Sequence, residues 1–334
     1  MAKPFTVDAC SAIIAGMEAP HNTRTYRAPW HDYSKPGCYM LTLNTYPRRA
    51  ILGRPANDRV WLSEQGRVVA RVWWALTKRY PEIICIFFCI MPDHLHWLLR
   101  IRKRLPHPLS FYMFRFMEET SKELGEVWER SFNDGIIFNS ASLKYRLQYL
   151  KDNPHRLCER LAHPEMFVRL NDLKHPRLPE GTPLPWTGYG NRFLLDCPDL
   201  IPVQVSRRVT PEQMEEWHER VRANLRAGAV FVSPFISPGE KKVAEWVLAE
   251  KGRLIVLKDG GFPQLYKPSA RYFDACAAGR CLVLSCYPWT GRQHAPGEFR
   301  SICLAMNAWV RQICQLPQGW PDAGGGSCKS PCGR

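Results

Sequence analysis

The segment Ile83–Arg100 reads IICIFFCIMPDHLHWLLR and predicts two adjacent strands. Its first half is a continuous apolar run that ends at a turn containing Pro92, a pattern typical of a buried strand. The second strand is predicted to begin directly after this turn. Because side chains alternate between the two faces of a strand, His94 and His96 are predicted to point the same way, with their backbones about 7 Å apart. That spacing suits two ligands of one divalent metal ion, although one buried and one surface histidine is the alternative that the pair alone leaves open.

Local periodicity predicts further elements on both sides of this segment. They are a strand over Gly37–Thr45, helices over 59–80 and 108–124, a bent strand through Glu126–Phe132 and Gly135–Phe138, and a third helix that begins near Ser140 or Ser142 and ends at Pro154. The order strand, helix, strand, strand, helix, strand, helix predicts an α+β domain built on a ferredoxin-like antiparallel sheet, with helices on one face. The two histidines fall on a central strand of that sheet.

The third predicted helix carries two polar side chains on one face. Tyr149 and Asn153 are four residues apart, which is one helical turn. If this helix packs near the histidine strand, a tyrosyl oxygen and an amide oxygen face the same metal ion. A phenol is a nucleophile that can attack phosphorus, and a divalent ion would polarise the scissile phosphate. The alternative is that Tyr145 or Tyr149 simply packs its ring in the core.

The charge balance of the chain points to a polyanionic partner. The formal net charge is +15, and residues 1–180 and 181–334 both carry an excess of Lys and Arg. Nucleic acid is favoured over a membrane surface because no basic amphipathic anchor is evident. Basic residues follow the first strand and close the histidine strand, and they are predicted to contact DNA. These residues are Arg48, Arg49, Arg100, Arg102, Lys103 and Arg104.

Size and composition limit the class of protein. With 334 residues, the length favours two domains. No apolar run reaches the roughly 18 residues that a membrane span needs, and the first residues do not form the apolar region of a signal peptide. The thirteen cysteines do not follow the spacing of a disulfide scaffold. A cytoplasmic protein with reduced thiols is therefore expected.

The second half of the chain alternates short apolar strands with helices, which predicts a small parallel α/β domain. It faintly resembles Rossmann-like domains of the DNA-processing and nucleotide-binding types. The loops at Ser233-Pro234 and Asp259–Gly261 follow such strands, where ligands bind in open parallel sheets. Nucleotide binding and a DNA-positioning or partner-binding role both stay open. The predicted organisation is an arm over 1–35, a first domain over 36–165, a Pro-rich linker over 166–189, the α/β domain over 190–315 and a disordered tail over 316–334.

Three blocks of the first domain resemble a known family. They are PGCYMLT at Pro36–Thr42, MPDHLHWLL at Met91–Leu99 and YLKDNP at Tyr149–Pro154. In this order they resemble the single-tyrosine HUH transposases, especially the REP-associated tyrosine transposases of bacterial chromosomes. The resemblance covers roughly residues 36–160, and the second block is its most specific part.

The resemblance implies a metal-dependent DNA cleavage and strand-transfer enzyme that acts on single-stranded or hairpin DNA. His94 and His96 match the metal-binding pair, and the metal would be Mg²⁺ or Mn²⁺. Tyr149 matches the nucleophile that forms a 5′-phosphotyrosine and releases a 3′-hydroxyl. Asn153 matches a polar position that completes the metal shell. A homodimer associated with the bacterial nucleoid is also implied.

Two departures from the family keep a second function open. After Pro154 the family continues with small residues and a Leu-Val pair, whereas this chain has HRLCER at His155–Arg160. The chain also extends far beyond the family domain. Either difference fits a domesticated DNA-binding regulator that keeps the HUH fold while its chemistry is idle. A metal hydrolase of small molecules is a third class, and the basic charge and the Tyr149–Asn153 spacing count against it.

Overall fold

The computed structural model describes residues 28–316. The chain divides into two compact units between Glu159 and Arg160. Most of the predicted arm, residues 1–27, and nearly all of the predicted tail, residues 317–334, lie outside the described range. Within that range no helix combines the length and the apolar character needed to cross a membrane.

The first unit is built on an antiparallel sheet. Its elements are β1 (Gly37–Asn44), β2 (Gly53–Ala56), β3 (Arg59–Leu62), α1 (Glu64–Arg79), β4 (Ile83–Met91), β5 (His94–Ile101), α2 (Leu109–Leu124), β6 (Asn133–Ile137) and α3 (Ser140–Ala162). The sheet order is β4-β5-β1-β6, every neighbouring pair is antiparallel, and β2 and β3 form a separate hairpin. The predicted α+β class is confirmed, and the two histidines lie on a central strand.

One face of this sheet packs against α1 and α2 through aromatic side chains. Trp97 of β5 is fully buried, and its ring centroid lies 5.3 Å from that of Trp73 on α1 and 5.2 Å from that of Phe116 on α2. Burial of each such side chain stabilises the fold by about 1.5–3 kcal/mol. Residues of odd number in β1 and β5, such as Leu41 and Leu95, complete this core.

The opposite face, which carries the histidines, packs against α3. Leu98 of β5 and Cys38 of β1 form a second core with Leu143 and Leu150 of that helix. The prediction of helices on one face only is therefore wrong. The reason is that β5 has apolar side chains on both faces, so both must be covered. As a result, the helix that carries Tyr149 crosses the histidine face.

Two predicted boundaries also differ. Helix α3 continues through Pro154 to Ala162, although a proline removes one hydrogen bond from a helix interior at a cost of about 3 kcal/mol. Beyond Pro154 the helix contacts the β2–β3 hairpin, where His155 Nδ1 lies 2.9 Å from Asp58 Oδ1, and this contact helps to offset that cost. The predicted bent strand reduces to β6, because Trp128 forms only an isolated bridge with Thr45.

The second unit is an α/β domain with a mixed sheet. Its strands are β7 (Thr187–Gly190), β8 (Leu200–Pro202), β9 (Val230–Ser233), β10 (Arg253–Leu257) and β11 (Cys281–Ser285), and its helices are α4 (Pro211–Arg226), α5 (Pro238–Ala249), α6 (Ala270–Ala277) and α7 (Pro296–Cys314), with short 3-10 helices at Pro164–Phe167 and Arg192–Asp196. The sheet order is β7-β11-β10-β9-β8. Strands β8 to β11 run parallel, as predicted, whereas β7 pairs antiparallel with β11.

Residues 166–189, predicted to be a linker, are part of the second unit. Leu178 and Trp186 are buried in its core, and the Leu170 N–H donates to the Gly188 carbonyl oxygen at 2.9 Å. The prolines and glycines of this segment shape turns, while its apolar side chains supply core. The prediction of a linker, which was based on composition alone, is therefore wrong.

Candidate functional site

The two histidines at the start of β5 form the centre of the site. As predicted, their side chains share a face, and their Nε2 atoms lie 3.1 Å apart. The two rings are nearly perpendicular, with an interplanar angle of 82°. His96 is buried, and the His94 side chain is 18% exposed. Two ring nitrogens thus converge on one position that solvent still reaches through His94.

The other nitrogen of each ring has its own partner. His94 Nδ1 lies 2.6 Å from Asp93 Oδ1, and His96 Nδ1 lies 2.9 Å from Thr42 Oγ1, which pairs opposite it across β1 and β5. A carboxylate only accepts, so His94 donates from Nδ1 and keeps a lone pair on Nε2. Such partners fix the tautomer and orientation of histidines that bind metal.

A chain of polar contacts extends from Asp93 across the sheet. Arg48 Nη2 lies 3.0 Å from Asp93 Oδ2, and Arg48 also donates to Asn44, whose amide donates to Glu129 at 2.9 Å. Burial by itself raises the pKa of Asp93, but the hydrogen bond from His94 and the positive charge of Arg48 outweigh it. The pKa of Asp93 is therefore lowered, which keeps the carboxylate ionised.

Tyr149 faces this pair from α3. The ring centroids of His96 and Tyr149 are 6.4 Å apart, with the planes at 69°. Asn153 follows one turn later and is buried, with 8% exposure. The helical spacing puts it on the Tyr149 face, as the sequence predicted. Its role as a metal ligand stays a prediction.

Arg156 is a further candidate site residue, and it was not predicted from the sequence. Its guanidinium carbon lies 5.6 Å from the centroid of the Tyr149 ring. Arg156 Nη2 also donates a hydrogen bond to Asp152 Oδ2 at 3.3 Å. The side chain is only 13% exposed. Arg156 follows Tyr149 by seven residues, which is about two turns of one helix. This spacing could have predicted that the two side chains share a face.

The predicted DNA-binding residues divide into two groups. Arg48 belongs to the histidine site through Asp93, and the neighbouring Arg49 donates to the carbonyl oxygens of Tyr46 and Glu126 at 2.7 and 3.1 Å. The group at the end of β5 consists of Arg100, Arg102, Lys103 and Arg104. Contact of both groups with DNA stays a prediction.

The residues present fit a divalent ion. In a metal-free site, one proton on the Nε2 of His96 can bridge to the Nε2 of His94. A cation between the two nitrogens would take the place of that proton, and His96 would then donate from Nδ1 to Thr42, whose hydroxyl accepts as readily as it donates. An amide oxygen such as that of Asn153 would suit the same ion.

The second unit holds a cavity of about 350 Å³ at the predicted loop after β10. Its walls include Lys258, Trp289, Arg292 and His294. The Lys258 Nζ lies 5.4 Å from the Trp289 ring centroid, and burial lowers the pKa of this amino group. At the other predicted loop, the Ser233 hydroxyl is buried and accepts the Phe235 N–H at 3.1 Å.

Comparison with known proteins gives distant likenesses. No family model matches this chain. It is 22% identical over 160 residues to an uncharacterised protein of Haemophilus influenzae. The aligned region covers 40% of this chain and 89% of that protein. A solved REP-associated tyrosine transposase bound to a REP hairpin is similar at 18% identity, over 40% of this chain and 74% of that chain, with a TM-score of 0.34. DNA processing protein A from Helicobacter pylori, solved for its single-stranded DNA binding mode, is similar at 22% identity. This likeness covers 46% of this chain and 68% of that chain, with a TM-score of 0.35. Likenesses of this size do not define a family for the chain.

Proposed function

We propose that this protein cleaves and rejoins single-stranded or hairpin DNA through Tyr149, with Mg²⁺ or Mn²⁺ held by His94 and His96. The observation that carries the proposal is the approach of the Tyr149 ring to His96, at 6.4 Å between centroids, beside two converging imidazole nitrogens. A nucleophile next to a metal-binding pair is the arrangement that phosphoryl transfer needs. Two of the three sequence blocks that resemble HUH transposases contain these same residues.

The reaction is an exchange of one phosphodiester for another. The Tyr149 oxygen attacks phosphorus, its proton leaves, and the bond from phosphorus to the 3′ oxygen breaks. The 3′ oxygen takes up a proton, and the 5′ end stays attached to Tyr149. Attack by a 3′-hydroxyl reverses these steps and rejoins DNA. Because the ester is conserved, no external energy source is required.

Several residues of this chain would support the step. His94 and His96 would hold the divalent ion, which when bound stabilises charge that develops on the phosphate. Asp93 and Thr42 keep the two imidazoles oriented. The Arg156 guanidinium lies beside the Tyr149 ring, where its positive charge would attract the phosphate. Mn²⁺ is the better candidate, since Mg²⁺ prefers ligand sets made only of oxygen.

DNA as the substrate is supported by charge. The net charge of +15 favours association with a phosphate backbone. In the second unit, a cation and an indole share one cavity, and such a wall can receive a phosphate and a stacked base. We assign DNA holding to this cavity and the covalent step to the first unit.

The experiment uses the full chain, Mn²⁺ and a randomised pool of end-labelled single strands and hairpins. A covalent protein–DNA adduct is expected on a denaturing gel, and Tyr149→Phe should abolish it because the nucleophilic oxygen is gone. The matched control is Tyr145→Phe, one turn earlier on α3, where the side chain is 69% exposed. An adduct that survives in Tyr149→Phe would overturn the proposal. Selective DNA binding with no adduct would support the regulator with idle chemistry.

A further inference from the structure

We propose that Asp58, His155 and Glu159 form a second metal site, separate from the histidine pair, that takes a transition-metal ion such as Zn²⁺. One ligand atom from each of the three side chains lies within 4.8 Å of the others. The site shares no residue with the proposed catalytic centre. It also does not depend on the chemistry proposed for Tyr149.

Asp58 is placed by a tight turn. The hairpin of β2 and β3 closes through Asn57 and Asp58, both in the left-handed region at φ 52° and 60°. Two-residue hairpin turns of this kind favour Asn and Asp. The Asp58 carboxylate is thus presented on a short connection with little backbone freedom.

The other two ligands come from helix α3. His155 and Glu159 are four residues apart and therefore lie on one face of the helix. His155 Nδ1 lies 2.9 Å from Asp58 Oδ1. Two ligands of one tetrahedral zinc ion lie roughly 3.3 Å apart, as follows from bonds of about 2.0–2.1 Å. Small side-chain rotations at two flexible carboxylates would bring the three atoms to that spacing.

The donor set selects the class of metal. Zn²⁺ binds both imidazole nitrogen and carboxylate oxygen, and a site with three protein ligands leaves a fourth position for water. The nitrogen disfavours Mg²⁺ and Ca²⁺, which prefer oxygen. The Asp58 side chain is 64% exposed and that of His155 is 36% exposed, so an ion can reach them and water can fill the open position.

Occupation of this site would join two elements of the first unit. The ion would connect the β2–β3 hairpin to α3, the helix that carries Tyr149 six residues before His155. Metal binding would then stabilise the folded unit by mass action, because the unfolded chain does not bring the three ligands together. Without metal, the same residues would keep only the direct contact between Asp58 and His155.

The test is a Zn²⁺ titration of the reduced full chain by calorimetry, in the wild type and in His96→Ala, which disables the histidine pair. Asp58→Asn and Glu159→Gln are the test variants; asparagine tolerates the left-handed turn, so the hairpin is kept. Each should weaken one binding event at least roughly tenfold in both backgrounds, as loss of a supporting partner alone costs that much. Glu126→Gln, another exposed carboxylate of the first unit, is the matched control and should bind like its parent.

A second readout separates a metal site from an ion pair. Zn²⁺ should raise the thermal unfolding midpoint of the His96→Ala protein, and Asp58→Asn should remove that increase. If Asp58→Asn lowers the midpoint equally with and without Zn²⁺, or if neither variant alters the titration, the residues form only an ion pair and the inference fails. Failure of the Tyr149 adduct assay would leave this outcome unchanged, since that assay uses Mn²⁺ and DNA.

Discussion

At the histidine site of the first unit, polar side chains contact one another, whereas in the cavity of the second unit Lys258 contacts the backbone and an aromatic ring. On the sheet of the first unit, Thr42 contacts His96, His94 contacts Asp93, and Asp93 contacts Arg48. In the cavity of the second unit, Lys258 donates to the Gly260 carbonyl oxygen at 3.2 Å and lies over an indole.

This difference separates chemistry from binding. Bond making needs atoms that are kept within fractions of an ångström of a productive position, and linked side chains on paired strands meet that demand. Holding a flexible polyanion needs positive charge and ring surface with room to adapt. Variants of each unit should therefore fail in different assays.

The largest effect is expected from His96→Ala. Removal of one of the two converging nitrogens should lower adduct formation by roughly 10²–10³-fold, the usual loss when one electrostatic contact to the reacting group is removed. DNA binding, measured by gel shift, should stay near the wild-type level. His107→Ala, an exposed histidine beyond β5, is the control. Full adduct formation in the presence of a strong chelator would show that no metal takes part.

An intermediate effect is expected from Thr42→Val. This change keeps the shape of the side chain and removes the hydroxyl 2.9 Å from His96 Nδ1. Loss of such a partner costs roughly 10–100-fold in metal affinity or activity. A titration of adduct formation against Mn²⁺ should shift to higher metal concentration, and Thr42→Ser should restore the wild-type curve. An unshifted curve for Thr42→Val would mean that Thr42 has no part in orienting His96.

The smallest effect is expected from Lys258→Gln in the second unit. Loss of one phosphate contact should weaken DNA binding a few-fold and reduce the slope of log affinity against log salt by about one. Adduct formation at saturating DNA should be unchanged, because the covalent step belongs to the first unit. Lys251→Gln, a lysine on the loop before β10, serves as the charge-matched control. An equal change in slope for both variants would mean that only net charge matters, and the division of roles between the units would then lose its support.

Much of the first unit could be predicted because its signals are local. Strand alternation puts His94 and His96 on one face, and helical spacing puts Tyr149 and Asn153 on another. Where a prediction required knowledge of distant partners, it was less successful. Helices on one face only, a helix that stops at Pro154 and a linker over 166–189 were all wrong, because in each case contacts with distant parts of the unit outweighed a local signal.

The contacts that orient the candidate site could not be predicted at all. The hydrogen bond between Thr42 and His96 spans 54 residues of sequence, and the one between Asn44 and Glu129 spans 85. The hairpin turn at Asp58 meets His155 across 97 residues.

From the residues alone one could therefore state which side chains share a face, since the periods of 2 and 3.6 residues are properties of the backbone. Which element covers that face, and which partner each imidazole finds, depended on strand register and on how α3 buries Leu143 and Leu150. These are long-range choices, made by the burial of apolar surface throughout the unit rather than by any single segment.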